Sequence, residues 1–303
     1  MKNTIKLAAI GAAALAVSTT SALAGPTLPA GVTTGIALGA PLPEGIYDIS
    51  IGSYGSSMDG NLAYAIPVWL IWSTPWQILG GRIGFDTATG VADAWTPGNT
   101  WHAPVPATAT TPFIPGFQDG IGTDSWLNTL MEGSIAWSFG NGWNASLRAG
   151  AWLNSTQTLP MALGRNYTAF MGGGSISYVA NGWNLTSTGL WGSGGENGRD
   201  NQWQNPWFNL DLTATKKFGK AEIGVIAYGS WDTGCAWHGC LKESEFAIGG
   251  LVGYDFGSFI MQAKLAGDVD HQLDSTDVAK EVRGTINIIK PLWNPAPPLA
   301  PLK

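Results

Sequence analysis

The sequence predicts an all-β protein, an antiparallel transmembrane β-barrel of about twelve strands, on three observations. Segments of alternating polarity recur along the chain. The connections between them alternate between short and long, as periplasmic turns and external loops do in outer-membrane barrels. Aromatic residues gather at the ends of these segments, where rings of a spanning barrel sit between lipid and water.

The chain opens with a leader. Lys2 and Lys6 precede the apolar run Leu7 to Val17, and Ala22-Leu23-Ala24 has the small-x-small form of a cleavage site, so residues 1–24 read as a signal peptide. The run is shorter than the roughly 20 residues of a spanning helix, and no comparable stretch follows. Residues 25–45 are rich in Pro and Gly and form either a plug inside the barrel or an unstructured lead-in. The barrel is expected over 46–293, followed by a Pro-rich tail over 294–303.

Four turn signals, Gly140-Asn141-Gly142, Asn181-Gly182, Phe218-Gly219-Lys220 and Asp255-Phe256-Gly257, mark four hairpins. Alternation is clearest from Phe208 to Lys217. There Phe208, Leu210, Leu212 and Ala214 share one face, while Asn209, Asp211, Thr213 and Thr215 share the other. The same test places strands roughly at 46–53, 62–71, 77–86, 127–139, 142–153, 167–179, 183–191, 207–217, 221–231, 246–254, 258–267 and 278–289. Short connections are expected at about 72–76, 140–141, 180–182, 218–220 and 255–257, and long ones at about 87–126, 154–166, 192–206, 232–245 and 268–277. Phe139, Trp143, Tyr178 and Trp183 then lie near the short turns, and Trp152, Trp191, Trp207, Trp231 and Phe246 near the long loops. A soluble sandwich, the minority alternative, buries its aromatics at mid-strand.

Composition agrees with a wall that faces lipid. The chain has 42 Gly and 16 Trp in 303 residues and only 12% charged residues. One lipid-facing surface needs few charges, whereas a soluble domain of this composition is poorly dispersed. A net charge of −6 gives no basis for nucleic-acid binding. Cys235 and Cys240, the only cysteines, are expected to form a disulfide that pins one loop. His238 between them suggests a metal, but two thiols and one histidine with no fourth ligand nearby make poor zinc spacing.

The inward polar set comprises Arg82, Glu132, Arg148, Asp211, Glu222, Lys264, Glu281 and Arg283. Facing lipid, these charges would be costly, so they are expected to line the lumen. Their role there is either a constriction that selects solutes or a salt-bridged brace for the wall. About eight strands are filled by their own side chains, so twelve leave room for an aqueous path or a plug.

Catalytic and cofactor signatures are weak. His102, His238 and His271 all fall in expected external loops, outside any Gly-x-Ser-x-Gly elbow. The acidic stretch Gly267 to Asp277 lacks the EF-hand glycine and reads as a solvated loop. Gly192 to Gly198 lacks the partners of a phosphate cradle and reads as a flexible loop. The Pro-, Thr- and Ala-rich segment Asp86 to Ser125 reads as a lid over the mouth or a mobile external loop. No cofactor, metal or catalytic residue is expected, and the protein is not expected to be an enzyme.

After the cleavage site, Leu28-Pro-Ala-Gly-Val-Thr-Thr-Gly-Ile-Ala-Leu-Gly-Ala-Pro-Leu-Pro-Glu-Gly-Ile-Tyr47 resembles the opening of a bacterial family named for the meta-pathway of phenol degradation. The likeness continues weakly, as a Gly/Trp/Tyr-rich strand pattern, over most of the mature chain. The resemblance implies an outer-membrane transporter for small, aromatic or hydrophobic compounds. Its implied partners are membrane lipid, a small-molecule solute and the barrel-assembly machinery; the sequence does not fix an oligomeric state. One departure is that Trp293 is followed by ten residues, where such barrels commonly end on an aromatic. Two rival functions accompany the channel: a lipid hydrolase using His271 or His238, and a structural or adhesive barrel without transport.

Overall fold

The computed structural model describes residues 28–58, 60–102, 117–154, 168–197, 202–236 and 240–295. The expected signal peptide, His238 and most of the C-terminal tail lie outside them. The described strands are, in order, β1 (Gly45–Ser57), β2 (Gly60–Ile78), β3 (Gly81–His102), β4 (Phe117–Trp126), β5 (Thr129–Gly140), β6 (Trp143–Leu153), β7 (Ala169–Ala180), β8 (Trp183–Gly192), β9 (Gly195–Asn197), β10 (Gln202–Gln204), β11 (Trp207–Phe218), β12 (Ala221–Asp232), β13 (Glu243–Asp255), β14 (Ile260–Leu273), β15 (Thr276–Asp277) and β16 (Val282–Trp293).

Hydrogen bonding runs β13-β12-β11-β8-β7-β6-β5-β3-β2-β1-β16-β14, and β13 also pairs with β14. That last ladder closes the sheet into a twelve-strand antiparallel barrel, the fold that the polarity pattern predicts. Closure leaves no barrel edge unpaired, the condition for spanning a bilayer with strands. Ser56 pairs with Val282 and Ile46 with Trp293, so the chain ends meet along one seam, and the strand closing the barrel ends on the aromatic Trp293.

Period-two alternation decides which side chains meet lipid. Mid-strand Leu147, Val225 and Leu265 are 59%, 60% and 62% exposed, while their neighbours Arg148, Ile226 and Lys264 are buried. More than half of a large apolar side chain left bare at mid-strand is stable only against hydrocarbon, which places the barrel in the bacterial outer membrane. Rings at the short-turn end reinforce one another: Trp143 packs on Tyr178 at 5.3 Å, and Phe256 stacks on Phe259 at 4.8 Å. At the opposite end Phe208 stacks on Trp231 at 6.1 Å.

The repeated Asn-Gly pairs turn as their chemistry requires. Asn141 and Gly142 have φ of 52° and 87°, and Asn181 and Gly182 have φ of 52° and 77°. Two successive left-handed residues make the two-residue turn whose twist matches the flanking strands.

Four expected connections are corrected. The chain does not turn at 72–76; β2 runs on to Ile78 and turns at Leu79 and Gly80. Pro75 misleads there because it cannot donate to a ladder, and the strand absorbs it as an irregularity between Ser73 and Gln77. Pro67 sits inside a second irregularity, between Ala65 and Val68. Residues 87–126 are not one loop either, since β3 continues to His102 and pairs with β4, and only 103–116 lie outside the described residues. The acidic stretch around His271 is strand: β14 extends to Leu273, and His271 is buried. Likewise the glycine-rich 192–206 stretch carries the short β9–β10 hairpin.

Candidate functional site

The barrel interior differs from one side to the other. Tyr47, Ile49 and Ile51 of β1, Leu62, Tyr64, Ile66, Trp69 and Ile71 of β2, and Leu130 of β5 form one buried apolar cluster with Trp152, Met171, Leu190 and Trp207. It runs from Tyr47 near the short-turn end to Trp207 near the long-loop end. The irregularity at Pro67 lets both Ile66 and Trp69 face inward, because one extra residue reverses the alternation. Trp152 and Trp207, expected in the outer ring, instead turn into the lumen, as the parity of Ser146 and Asn209 on their strands requires.

The wall from β7 to β14 carries a polar stripe, hydrogen-bonded across its strands, beside a second buried apolar cluster in which Ala30 meets Ile226, Tyr228, Ala247, Leu251 and Ala266. Ser175 meets Thr188 at 2.8 Å, Ser177 meets Thr186 at 2.8 Å, and Ser230 donates to Asn209 at 2.6 Å. Against this wall lies the Pro/Gly-rich segment 28–44. The Asp211 carboxylate accepts the Gly31 N–H at 2.9 Å, the Thr33 N–H at 3.0 Å and the Thr33 hydroxyl at 2.6 Å. Lys264 Nζ donates to the Gly31 and Thr34 carbonyls, both at 3.2 Å. Gly35 donates to Thr213 Oγ1 at 2.8 Å, and its carbonyl accepts from Gln262 at 3.0 Å. Gly35 has φ +85°, and an added Cβ would stand 2.7 Å from Gln262 Oε1, so this position admits only glycine. Ser146 donates to the Leu38 carbonyl at 2.8 Å.

Below residues 35–42, on the short-turn side, lies a cavity of about 380 Å³. Its walls include Leu38, Leu42, Tyr47, Ile49, Ile71 and Ile289, with Arg82, Asp86, Arg148, Lys217 and Glu222 as charged members. The guanidinium of Arg148 reaches Glu132 Oε1 at 2.9 Å and Asp86 Oδ2 at 3.8 Å, and Trp69 Nε1 donates to Asp86 Oδ2 at 3.1 Å. Arg82 donates to the Thr74 carbonyl at 2.8 Å. Glu222 accepts from Thr215 and from Gln262.

The eight charged residues singled out in the sequence thus fall into three places. Arg82, Glu132, Arg148 and Glu222 lie at or beside the cavity, and Asp211 and Lys264 grip segment 28–44. Glu281 and Arg283 stand toward the long-loop end, where Arg283 Nη2 donates to Glu281 at 2.7 Å and the guanidinium lies 5.4 Å from the Tyr64 ring centroid. Asp86, at once the last residue of the expected strand 77–86 and the first of the segment 86–125, was missed, although it keeps the parity of Arg82. Cys235 and Cys240 are joined in a disulfide. Both ring nitrogens of His271 are engaged, Nε2 with Glu243 at 2.9 Å and Nδ1 with the Ala279 carbonyl at 2.8 Å. Neither is free to activate a serine. Among the described residues no cluster of three or more His, Cys, Asp or Glu is placed to hold a metal.

Residues 53–281 match the family described as the MetA-pathway of phenol degradation. The chain belongs to that family. Its fold is shared with the COG4313 outer membrane channel from Pseudomonas putida F1, with a TM-score of 0.58 and 10% identity over 83% of this chain and 97% of that one. The NanC porin aligns with a TM-score of 0.45 and 10% identity, over 81% of this chain and 100% of the porin. The sequence has no significant match among curated proteins.

Proposed function

We propose that this protein is a passive outer-membrane channel for small, largely apolar compounds, aromatic ones included. The observation that carries this reading is the apolar stripe spanning the lumen from Trp207 to Tyr47 and ending at the cavity. A water-filled pore for ions has little use for an apolar lining of this extent, part of which Leu28 and Val32 of segment 28–44 cover. For an apolar solute such a wall lowers the cost of leaving one aqueous side for the other, at about 25 cal/mol per Å² of apolar surface covered. The polar wall serves a different purpose in this reading: it holds segment 28–44 as a plug that narrows the path. The charged residues beside the cavity select among solutes, and those at the long-loop end brace the mouth. His271, with both nitrogens committed, contributes to that brace and not to hydrolysis.

Proteoliposome swelling with purified protein tests the reading. Small neutral aromatic alcohols are expected to enter faster than sugars of equal mass. Equal entry of both, or no entry of either, refutes it.

A further inference from the structure

The lipid face of the barrel is not evenly covered. On β11, Ala214 lies between Leu185 of β8 and Val225 of β12, and Leu212 lies between Ser187 and Ala227. Where Ser187, Ala214 and Ala227 stand the outward side chains are short, and a groove of about 520 Å³ opens in the wall, bordered by Trp143 of β6 and Ile248 of β13. It occupies the short-turn half of the wall. From Leu212 to the strand end at Phe218 are six steps of about 3.4 Å, inclined at about 40°, a rise of roughly 15 Å and so the depth of one leaflet.

The short-turn margin of the groove is cationic. Lys216 shares the outward face of Leu212 and Ala214 and stands opposite Trp183 of β8. Its Nζ donates to the Asn181 carbonyl at 2.6 Å and lies 4.9 Å from the Trp183 ring centroid, which draws the ammonium to the turn, at the depth where head groups begin. Both of these partners are neutral. Lys220, in the turn after β11, is exposed. Of the acids nearby, Glu222 faces the lumen opposite Lys217, which leaves Asp255 as one carboxylate against two ammoniums. Asp255 already accepts the Gly257 N–H at 2.7 Å.

We infer that this groove is a phospholipid site of the periplasmic leaflet. One acyl chain fills the depression between Leu185 and Val225, and Lys216, with Lys220 on the same rim, takes the phosphate, so an anionic head group is preferred to a zwitterionic one. A chain in the groove supplies the dispersion contacts that an unfilled depression forfeits. A second copy is a poor occupant: a two-fold pair would set groove against groove and bring the two lysine rims together. The site depends on the barrel's place in the membrane and not on what passes through the lumen, so swelling results leave it standing.

Native mass spectrometry of the detergent-purified protein, incubated with equal concentrations of dioleoylphosphatidylglycerol and dioleoylphosphatidylethanolamine, tests the site. The barrel is expected to retain one phospholipid, with phosphatidylglycerol favoured at least fivefold. Lys216→Gln should bring the two lipids within twofold of each other. Ala214→Phe, which fills the depression, should lower retention of both at least fivefold. Lys290→Gln removes an exposed cation on β16, outside the groove, and should leave the preference within twofold of wild type. If Ala214→Phe fails to fold by heat-modifiable migration, the wild-type preference and the two lysine variants decide. Equal retention of the two lipids by the wild type, or a preference lost as fully in Lys290→Gln as in Lys216→Gln, overturns the site. A dimer that Ala214→Phe splits also overturns it, since the groove would then belong to a second copy.

Discussion

Asp211 offers the sharpest test of segment 28–44 as a plug. Its carboxylate holds three donors of that segment, and Lys264, which grips the same turn through two carbonyls, is the cation facing it. Hydrogen bonds to a charged group contribute about 1.5–3 kcal/mol each, but three on one carboxylate are not additive. Removing one partner of a buried charge arrangement costs about 3–5 kcal/mol, because the other charge stays buried. Asp211→Ala should therefore raise the undocked fraction of the segment about 10²–10³-fold, taking the lower part of that range. Both native cysteines are in the disulfide, so Ala30→Cys supplies a single free thiol on the buried segment. Its reaction with a bulky maleimide should accelerate by the same factor in the Asp211→Ala background, provided docking is fast relative to labelling. A labelling rate unchanged within threefold would show that Asp211 does not hold the segment.

Three further outcomes follow from the same geometry. Gly35→Ala imposes a Cβ where φ is positive and Gln262 stands close, so it should undock the segment and raise single-channel conductance, whereas Gly284→Ala, where φ is not positive and the Cβ meets nothing, should leave conductance unchanged. Leu62→Asp, on the apolar stripe, should slow benzyl alcohol entry at least fivefold in swelling assays while leaving small sugars unaffected; equal slowing of both would count against the stripe as the path. Val225→Arg, on the lipid face at mid-strand, should lower the unfolding free energy in lipid vesicles by about 2–4 kcal/mol, because a cation at the bilayer midplane has no aqueous refuge.

The barrel was legible because its signal is local. Asn141-Gly142 and Asn181-Gly182 announce their turns, and alternation through β11 assigns Asp211 to the lumen and Leu210 to lipid without any tertiary information. Failure came where local chemistry and the ladder disagree. Pro75 reads as a turn, yet a long strand whose neighbours hold it can absorb a missing donor. Trp152 and Trp207 were placed at the right height and on the wrong side, since aromatic position marks an interface but only parity marks a face. The site was legible in part: six of the eight charges expected to line the lumen are buried and Arg82 and Glu281 are half-buried, but which of them meet depends on shear around the barrel, and that brings Arg148 from β6 to Asp86 on β3. The same limit hid Asp86 as a partner of Arg148, since it stood at the boundary between the expected strand 77–86 and the segment after it.

The seam between β1 and β16 sets the order in which this protein can be made. Its first and last strands pair across more than two hundred residues, so that ladder repays its loop-closure entropy last. Until Val282 to Trp293 arrive, β1 presents a row of free backbone groups, and the growing sheet is a curl with one open side. Segment 28–44 sits immediately before β1 and bonds to strands from β6 to β14, so it can lodge on the concave face while that side is still open. A chain cut before Val282 would keep the β1 edge exposed, and its fate is aggregation rather than a smaller pore.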